Sequence, residues 1–476
     1  MGKIVIAGAG VTGMMCALKL TETVPASNIV IFDKSLETGG MYNSVSYEDG
    51  KVFDHGMHVI YESCNPTVDE LYFKVMPPSE WNIHEKNRKD IAGVYFRGQL
   101  QNYSHYIDLR SFQTIEKNTF IGSLFSNLNN LPDDTQSSAL NFLTHQFGTA
   151  IVEQVHKPLL QNLYSVAPEK LDVFAVKATA LERVVMFERE VMHDLMKADL
   201  IRSRIAFPDQ LNLPPYRNNN QRALYPKKFG MRHFIQKLQD KLTTSGVRIL
   251  TGTSLQQIIA TNNRINEITL SPPDGELQKI PVSNMIWTGG WPALASALNV
   301  KISDIPFQRG IKIVYVNLIL DSPPLMDSLY YFYCYDTGFA SFRVTSYSNY
   351  CPDAAKDGTY PICVELWPSR LGVEADALSD EECQRIAIEE IRKMGIVNDL
   401  HKVVYQNVGS RASEFPLPTI ENKQSLHKVR SRVQQTDLSN IIVAGIMAED
   451  GLFFIPDILN DAIAKVQATN FSESAK

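Results

Sequence analysis

Cysteine is scarce: six of 476 residues (Cys16, Cys64, Cys334, Cys351, Cys363 and Cys383), with no Cys-x-x-Cys pair and no histidine cluster at zinc-finger spacing. This excludes a disulfide-stapled scaffold and a structural zinc module, predicts no metal site, and suits a reducing cytoplasm. Charge of one sign is also lacking. Lys+Arg 46 against Asp+Glu 52 leaves a net charge of -6, too mild and too evenly spread for a nucleic-acid surface or a polybasic membrane patch. No stretch approaches the roughly 18 consecutive apolar residues that span a bilayer. The apolar start at Ile4 is broken by glycines and does not lead to a signal-peptide cleavage site. Low complexity is confined to Asn218-Asn219-Asn220, and there is no internal repeat. The expectation is a soluble, unexported, cytoplasmic chain of globular composition, 44% hydrophobic and 21% charged, long enough for two or three domains.

The first fifty residues carry the strongest signal. Residues 3–7 form a short β-branched run, followed at once by Gly8-Ala9-Gly10-Val11-Thr12-Gly13 and an apolar, helix-forming stretch. A strand, a glycine turn and a helix are predicted. Gly8 serves the tight turn, Gly10 allows backbone to approach a pyrophosphate, and Gly13 lets the helix lie close to the strand. The helix N-terminus, with unpaired N–H groups and a favourable dipole, then faces the phosphates. A second strand over 28–32 ends at Asp33, 20 residues after Gly13, where a carboxylate can accept hydrogen bonds from ribose hydroxyls.

The next block, Lys34-Ser35-Leu36-Glu37-Thr38-Gly39-Gly40-Met41, resembles the second glycine motif of FAD enzymes of the amine oxidase and UDP-galactopyranose mutase superfamily, which also includes the protoporphyrinogen oxidases. The resemblance implies FAD rather than NAD as cofactor. Phe53-Asp54-His55-Gly56-Met57-His58-Val59-Ile60 is similar to the segment those enzymes place beside the isoalloxazine ring. Gly56 and Met57 would then lie close to the flavin and His58 would tune it. Leu255 stands where the superfamily packs an apolar residue on adenine, and Gly445 and Pro456 fall in its last cofactor-binding segment.

The implied fold is α/β: a Rossmann-type FAD-binding domain with an inserted helical domain and an antiparallel β-sheet substrate domain. The expected divisions are 1–100, 223–300 and 421–476 for the three parts of the FAD domain, 101–222 for the helical domain and 301–420 for the sheet domain. Helices are expected over 120–128, 135–147, 150–160, 170–178, 181–200, 380–394 and 456–466, and strands over 247–251, 264–270, 285–287, 311–320, 330–335, 341–345, 360–367 and 441–444.

Two segments narrow the superfamily. Phe339-Ala340-Ser341-Phe342-Arg343-Val344-Thr345-Ser346-Tyr347-Ser348-Asn349-Tyr350 resembles a block of the UDP-galactopyranose mutases in which the arginine binds the diphosphate of a nucleotide sugar. Leu181-Glu182-Arg183-Val184 resembles the helix that supplies their other diphosphate arginine, and two guanidinium forks from different domains suit such a ligand. The resemblance implies His58, Arg183 and Arg343 as catalytic residues and Arg183, Tyr333, Arg343 and Asn349 as substrate contacts. Glu365 and Phe415-Pro416-Leu417-Pro418 are further echoes. It also implies pyranose/furanose isomerisation through reduced flavin N5, with an external reductant such as NAD(P)H and a homodimer both compatible. One departure stands out. The mutases carry glycine-arginine after the final strand, where this chain has Gly445-Ile446, and Gly451 to Asp457 looks more like protoporphyrinogen oxidases. The alternative is an FAD-dependent oxidoreductase that removes a hydride from its substrate.

Overall fold

In the computed structural model, which describes residues 2–47, 49–129, 138–215, 220–415, 417–469 and 471, the β-branched N-terminal run becomes the middle strand of a parallel sheet. Lys3–Ala7 pairs in parallel with Ile29–Phe32 on one side and with the second half of Gln278–Trp287 on the other. Arg248–Leu250 and Ile441–Val443 complete the two edges, also in parallel. Both faces of such a sheet are covered, which explains why Val5, Ile6, Ile29 and Ile31 are fully buried and read as apolar runs without alternation. Helix Val11–Leu20 lies on one face, with Met14, Met15, Cys16 and Ala17 wholly enclosed.

Gln278–Trp287 is longer than the three residues expected. Its first half alternates buried and open residues and pairs antiparallel with Arg264–Ser271, which pairs in turn with Ser254–Thr261. One strand thus belongs to a parallel layer at its end and an antiparallel ribbon at its start.

The second large sheet runs in the order Val403–Phe415, Ile311–Leu320, Tyr360–Leu366, Ser341–Ser346, Tyr331–Cys334, Ala92–Phe96, Gln99–Gln101. The expected division at residue 100 needs correcting here. Ala92–Phe96 pairs in parallel with Tyr331–Cys334 and antiparallel with Gln99–Gln101, so these two strands complete the sheet otherwise built from residues after 300.

The helical block contains Thr114–Ser126, Ala139–Phe147 and Lys157–Tyr164, the last entered through a π-helical turn at Val152–His156. Residues 135–137 of the expected second helix lie outside the described residues, as does Pro416. The expected helix over 181–200 is not formed. Val184–Val185 pairs in parallel with Ile107–Asp108, and only Arg189–Leu195 and Asp199–Arg202 are helical. Val184, Val185 and Met186 are all buried, and a helix cannot enclose three consecutive side chains against one neighbour. Arg183 therefore sits on extended chain. Among the described residues no helix is long and apolar enough to cross a membrane.

Candidate active site

The glycine loop separates into residues the fold needs and one it does not. Gly8 has φ +113°, and an added Cβ would meet Thr288 Oγ1 at 2.0 Å; at Gly13 it would meet the Gly8 carbonyl at 2.1 Å. Gly10 has φ -71° and ψ 174°, ordinary for any residue, and its added Cβ would touch nothing within 4 Å. The space beside Gly10 is thus kept open without need from backbone or packing, and it adjoins the first turn of a helix with no capping side chain. Val11 and Thr12 begin that turn. A pyrophosphate fits this cradle.

Asp33 closes the next strand: one carboxylate oxygen accepts from the Ala9 amide and the other from the Ser35 amide, each at 2.8 Å. Gly39 donates to the Ala9 carbonyl at 2.8 Å and bridges Gly10, bringing the two glycine motifs together. Lys34, Gly40 and Met41 stay exposed along this edge. Thr253 donates to the Asp33 carbonyl, and half-buried Leu255 follows two residues later. Gly445, φ +97°, lies over the Thr288 carbonyl, while Pro456 is buried in the first turn of Ile455–Ala468. Ile446 is 40% exposed. These segments meet at the carboxyl ends of the parallel strands, where open α/β sheets bind ligands.

On the second sheet, strand register aligns Tyr333 with Arg343, Arg343 with Glu365, and Glu365 with Tyr315. Residues directly opposite in antiparallel strands share a face, so the four form one cross-strand row. Arg343 donates from Nε and Nη2 to the two oxygens of Glu365, at 2.6 and 3.0 Å, and Glu365 is 2% exposed. Its guanidinium also lies 5.8 Å from the Tyr331 ring centre. Burial opposes the Arg343 charge, but Glu365 and Tyr333 outweigh it and hold the pKa well above the ordinary guanidinium value.

The 55–58 segment crosses this row. The His55 ring meets Tyr315 edge-on at 5.3 Å. Gly56, φ +72°, passes so close that an added Cβ would come within 2.1 Å of Glu365 Oε1. Met57 packs half-buried against the main core. His58 contacts Tyr42 edge-on at 5.0 Å, and its Nδ1 is buried without a partner. Burial, followed by the charges of Arg343 and His55, pushes its pKa down to about 3, so the ring is neutral at physiological pH.

Arg183 belongs to a neighbouring cluster. Its Nη1 donates to the Tyr106 hydroxyl at 3.2 Å, while its Nε is buried and unpartnered. Asn349 is not in the site: its amide nitrogen donates to the carbonyls of Asp327 and Leu329, which commits it to bracing the loop before Tyr331–Cys334. Sequence reasoning passed over Tyr61, Asp90, His105, Tyr315 and Tyr331. The alternation Tyr331, Tyr333, Tyr335 was the available signal for the last. Among the described residues no cluster could hold a metal ion. A cavity of about 440 Å³ along Ile441–Val443 shares no residue with the site.

Residues 6–74 match the NAD(P)-binding Rossmann-like domain family. A reduced UDP-galactopyranose mutase superposes with a TM-score of 0.73 at 18% identity, covering 100% of this chain and 97% of the mutase. The fold is that of UDP-galactopyranose mutase. The mutase fold extends to a provisionally named protoporphyrinogen oxidase from Exiguobacterium sp. 255-15 (TM-score 0.69, 18% identity, 98% of each chain). It extends further to putrescine oxidase bound to putrescine (TM-score 0.58, 12% identity, 98% of this chain and 99% of the oxidase). In sequence the chain is 24% identical over 321 residues to coproporphyrinogen III oxidase of Staphylococcus aureus (strain NCTC 8325 / PS 47), covering 61% of this chain and 63% of that relative. The chain thus spans somewhat less than two thirds of the curated relative it matches.

Proposed function

We propose that the chain is an FAD-dependent enzyme acting on a nucleotide diphosphate sugar. The observation that carries this reading is the cross-strand row, which holds a permanently charged Arg343 against the Gly56–His58 segment. The open space at Gly10, the Asp33 carboxylate and the close approach allowed at Gly56 fit FAD. Bound and reduced, FAD supplies a nucleophilic N5 for attack at an anomeric carbon. The chain's own residues do the remainder. The Gly8–Gly13 loop binds the pyrophosphate, and Asp33 accepts from the ribose. Glu365 occupies the Nε–Nη2 edge of Arg343 and fixes its plane, leaving the Nη1 edge to meet the substrate diphosphate. Charge that grows on the departing diphosphate is stabilised there. Neutral His58 keeps a second cation away from the Arg343 row.

The exposed Ile446 in place of an arginine, together with the match to coproporphyrinogen III oxidase, favours a second reading: an FAD-dependent oxidoreductase. Titrating the yellow protein, oxidised and dithionite-reduced, with UDP, UDP-galactose and dTDP-sugars separates the two. Saturable flavin absorbance changes that tighten on reduction are expected. No response to any nucleotide transfers the assignment to the oxidoreductase.

A further inference from the structure

Around the Arg343 row, three chain segments direct four polar atoms into the interior with no partner: Asp90 Oδ1, His105 Nδ1, Glu182 Oε2 and Arg183 Nε. Buried polar atoms are ordinarily paired, so a group of orphans marks a place where water or a ligand supplies the missing bonds. Asp90 is tied to the row: its Oδ2 accepts from the Tyr331 hydroxyl at 3.4 Å, and Tyr331 lies beneath the Arg343 guanidinium. Burial, followed by the Asp90 charge, holds the Tyr61 hydroxyl well above its ordinary pKa. His105 packs on Tyr106 at 4.1 Å between ring centres, and the Tyr106 hydroxyl is the group Arg183 reaches. The His105 ring interacts electrostatically with both Asp90 and Arg183, which joins the two ends of the cluster. None of the four orphans belongs to the glycine cradle, and none contacts the Glu365 carboxylate.

We propose that Asp90 and His105 form a hydroxyl-binding subsite for the sugar part of the ligand. The free carboxylate oxygen accepts from one ring hydroxyl and the free imidazole nitrogen bonds another. An acceptor-only carboxylate and an imidazole that can donate or accept both suit sugar hydroxyls, which donate and accept in turn. It is a poor match to an apolar polyene substrate, which would leave both groups unpaired. The subsite rests on the nucleotide-sugar reading and gives its selectivity a location: Arg343 holds the diphosphate, which UDP and UDP-sugars share, and Asp90 with His105 holds what only the sugar carries.

The test compares UDP with UDP-galactose on reduced holoenzyme. Asp90→Asn keeps the shape of the side chain, and His105→Gln serves as the second variant should the first fail to fold. Retained flavin absorbance and melting temperature certify each. The expected result is that UDP-galactose binds about tenfold or more weakly, the effect of one lost hydrogen bond to a charged group, while UDP affinity is unchanged within about twofold. Equal weakening of UDP and UDP-galactose, or no weakening of either, overturns the subsite and leaves the nucleotide-sugar reading intact. If the wild-type enzyme binds neither compound in either redox state, that reading fails and the subsite fails with it.

Discussion

Arg343 is bonded through Nε and Nη2 to a carboxylate that is 2% exposed, so removing it strands the Glu365 charge as well as emptying the anion site. Breaking a buried pair on one side costs about 3–5 kcal/mol, whereas replacing both partners with apolar groups is often nearly neutral. Arg343→Ala is therefore expected to lose about 3–5 kcal/mol of stability to denaturant, and Arg343→Met with Glu365→Leu to recover most of it. Both variants should weaken UDP-galactose binding by about 1.5–3 kcal/mol or more, the scale of a charge-assisted hydrogen bond. Wild-type stability in Arg343→Ala would show that solvent reaches the pair freely. Full UDP-galactose affinity in the stable double variant would remove Arg343 from the diphosphate site.

Among the elements, the π-helical turn at Val152–His156 supplies a test of burial. His156 is 0% exposed and stacks on Phe147 at 4.9 Å. Burial pushes its pKa from 6.5 down to about 4, and the nearby Leu181 and Ile151 carbonyls do not offset this. Above pH 6.5 neither folded nor unfolded protein protonates this ring, so it has no pH effect. As pH falls from 6.5 towards 4, the unfolded chain binds a proton that the folded ring refuses, and stability drops. At pH 5 the loss from this one group is about 2 kcal/mol. His156→Phe should shrink the fall in melting temperature between pH 7 and pH 5, leaving the His58 contribution, which has the same sign. An unchanged acid slope would mean that His156 already titrates normally in the fold. The turn itself was not legible, since an apolar pattern does not specify i to i+5 hydrogen bonding. Likewise, 181–200 misled because the strand partner of Val184–Val185, Ile107–Asp108, lies far away in sequence. Strands such as Ile311–Leu320 were legible from apolar pattern alone. What pattern cannot give is register: Arg343 and Glu365 could each be noticed, but only pairing places one opposite the other. Asp90, in Arg88-Lys89-Asp90-Ile91, looks like any charged loop until Tyr331 is laid beside it.

Across the whole molecule, the glycine cradle ties together residues far apart in the chain: Gly8–Gly13, Gly39, Thr288 and Gly445 all meet at the carboxyl ends of the parallel strands. A ligand held there by several segments stabilises the folded state alone, by about 2.7 kcal/mol at a hundredfold excess over Kd. Protein stripped of FAD is thus expected to melt below the yellow form and to recover on adding FAD. Gly10→Val separates ligand space from fold requirement, because its side chain enters a region with no protein atom within 4 Å of the added Cβ, on backbone that tolerates any residue. The variant should be folded and colourless, melt with stripped wild-type protein and show no upward shift with FAD. Melting well below stripped wild type would mean that Gly10 is needed for packing after all. A yellow variant with a normal shift would place the pyrophosphate away from this loop, because no dinucleotide phosphate could share that space with a valine.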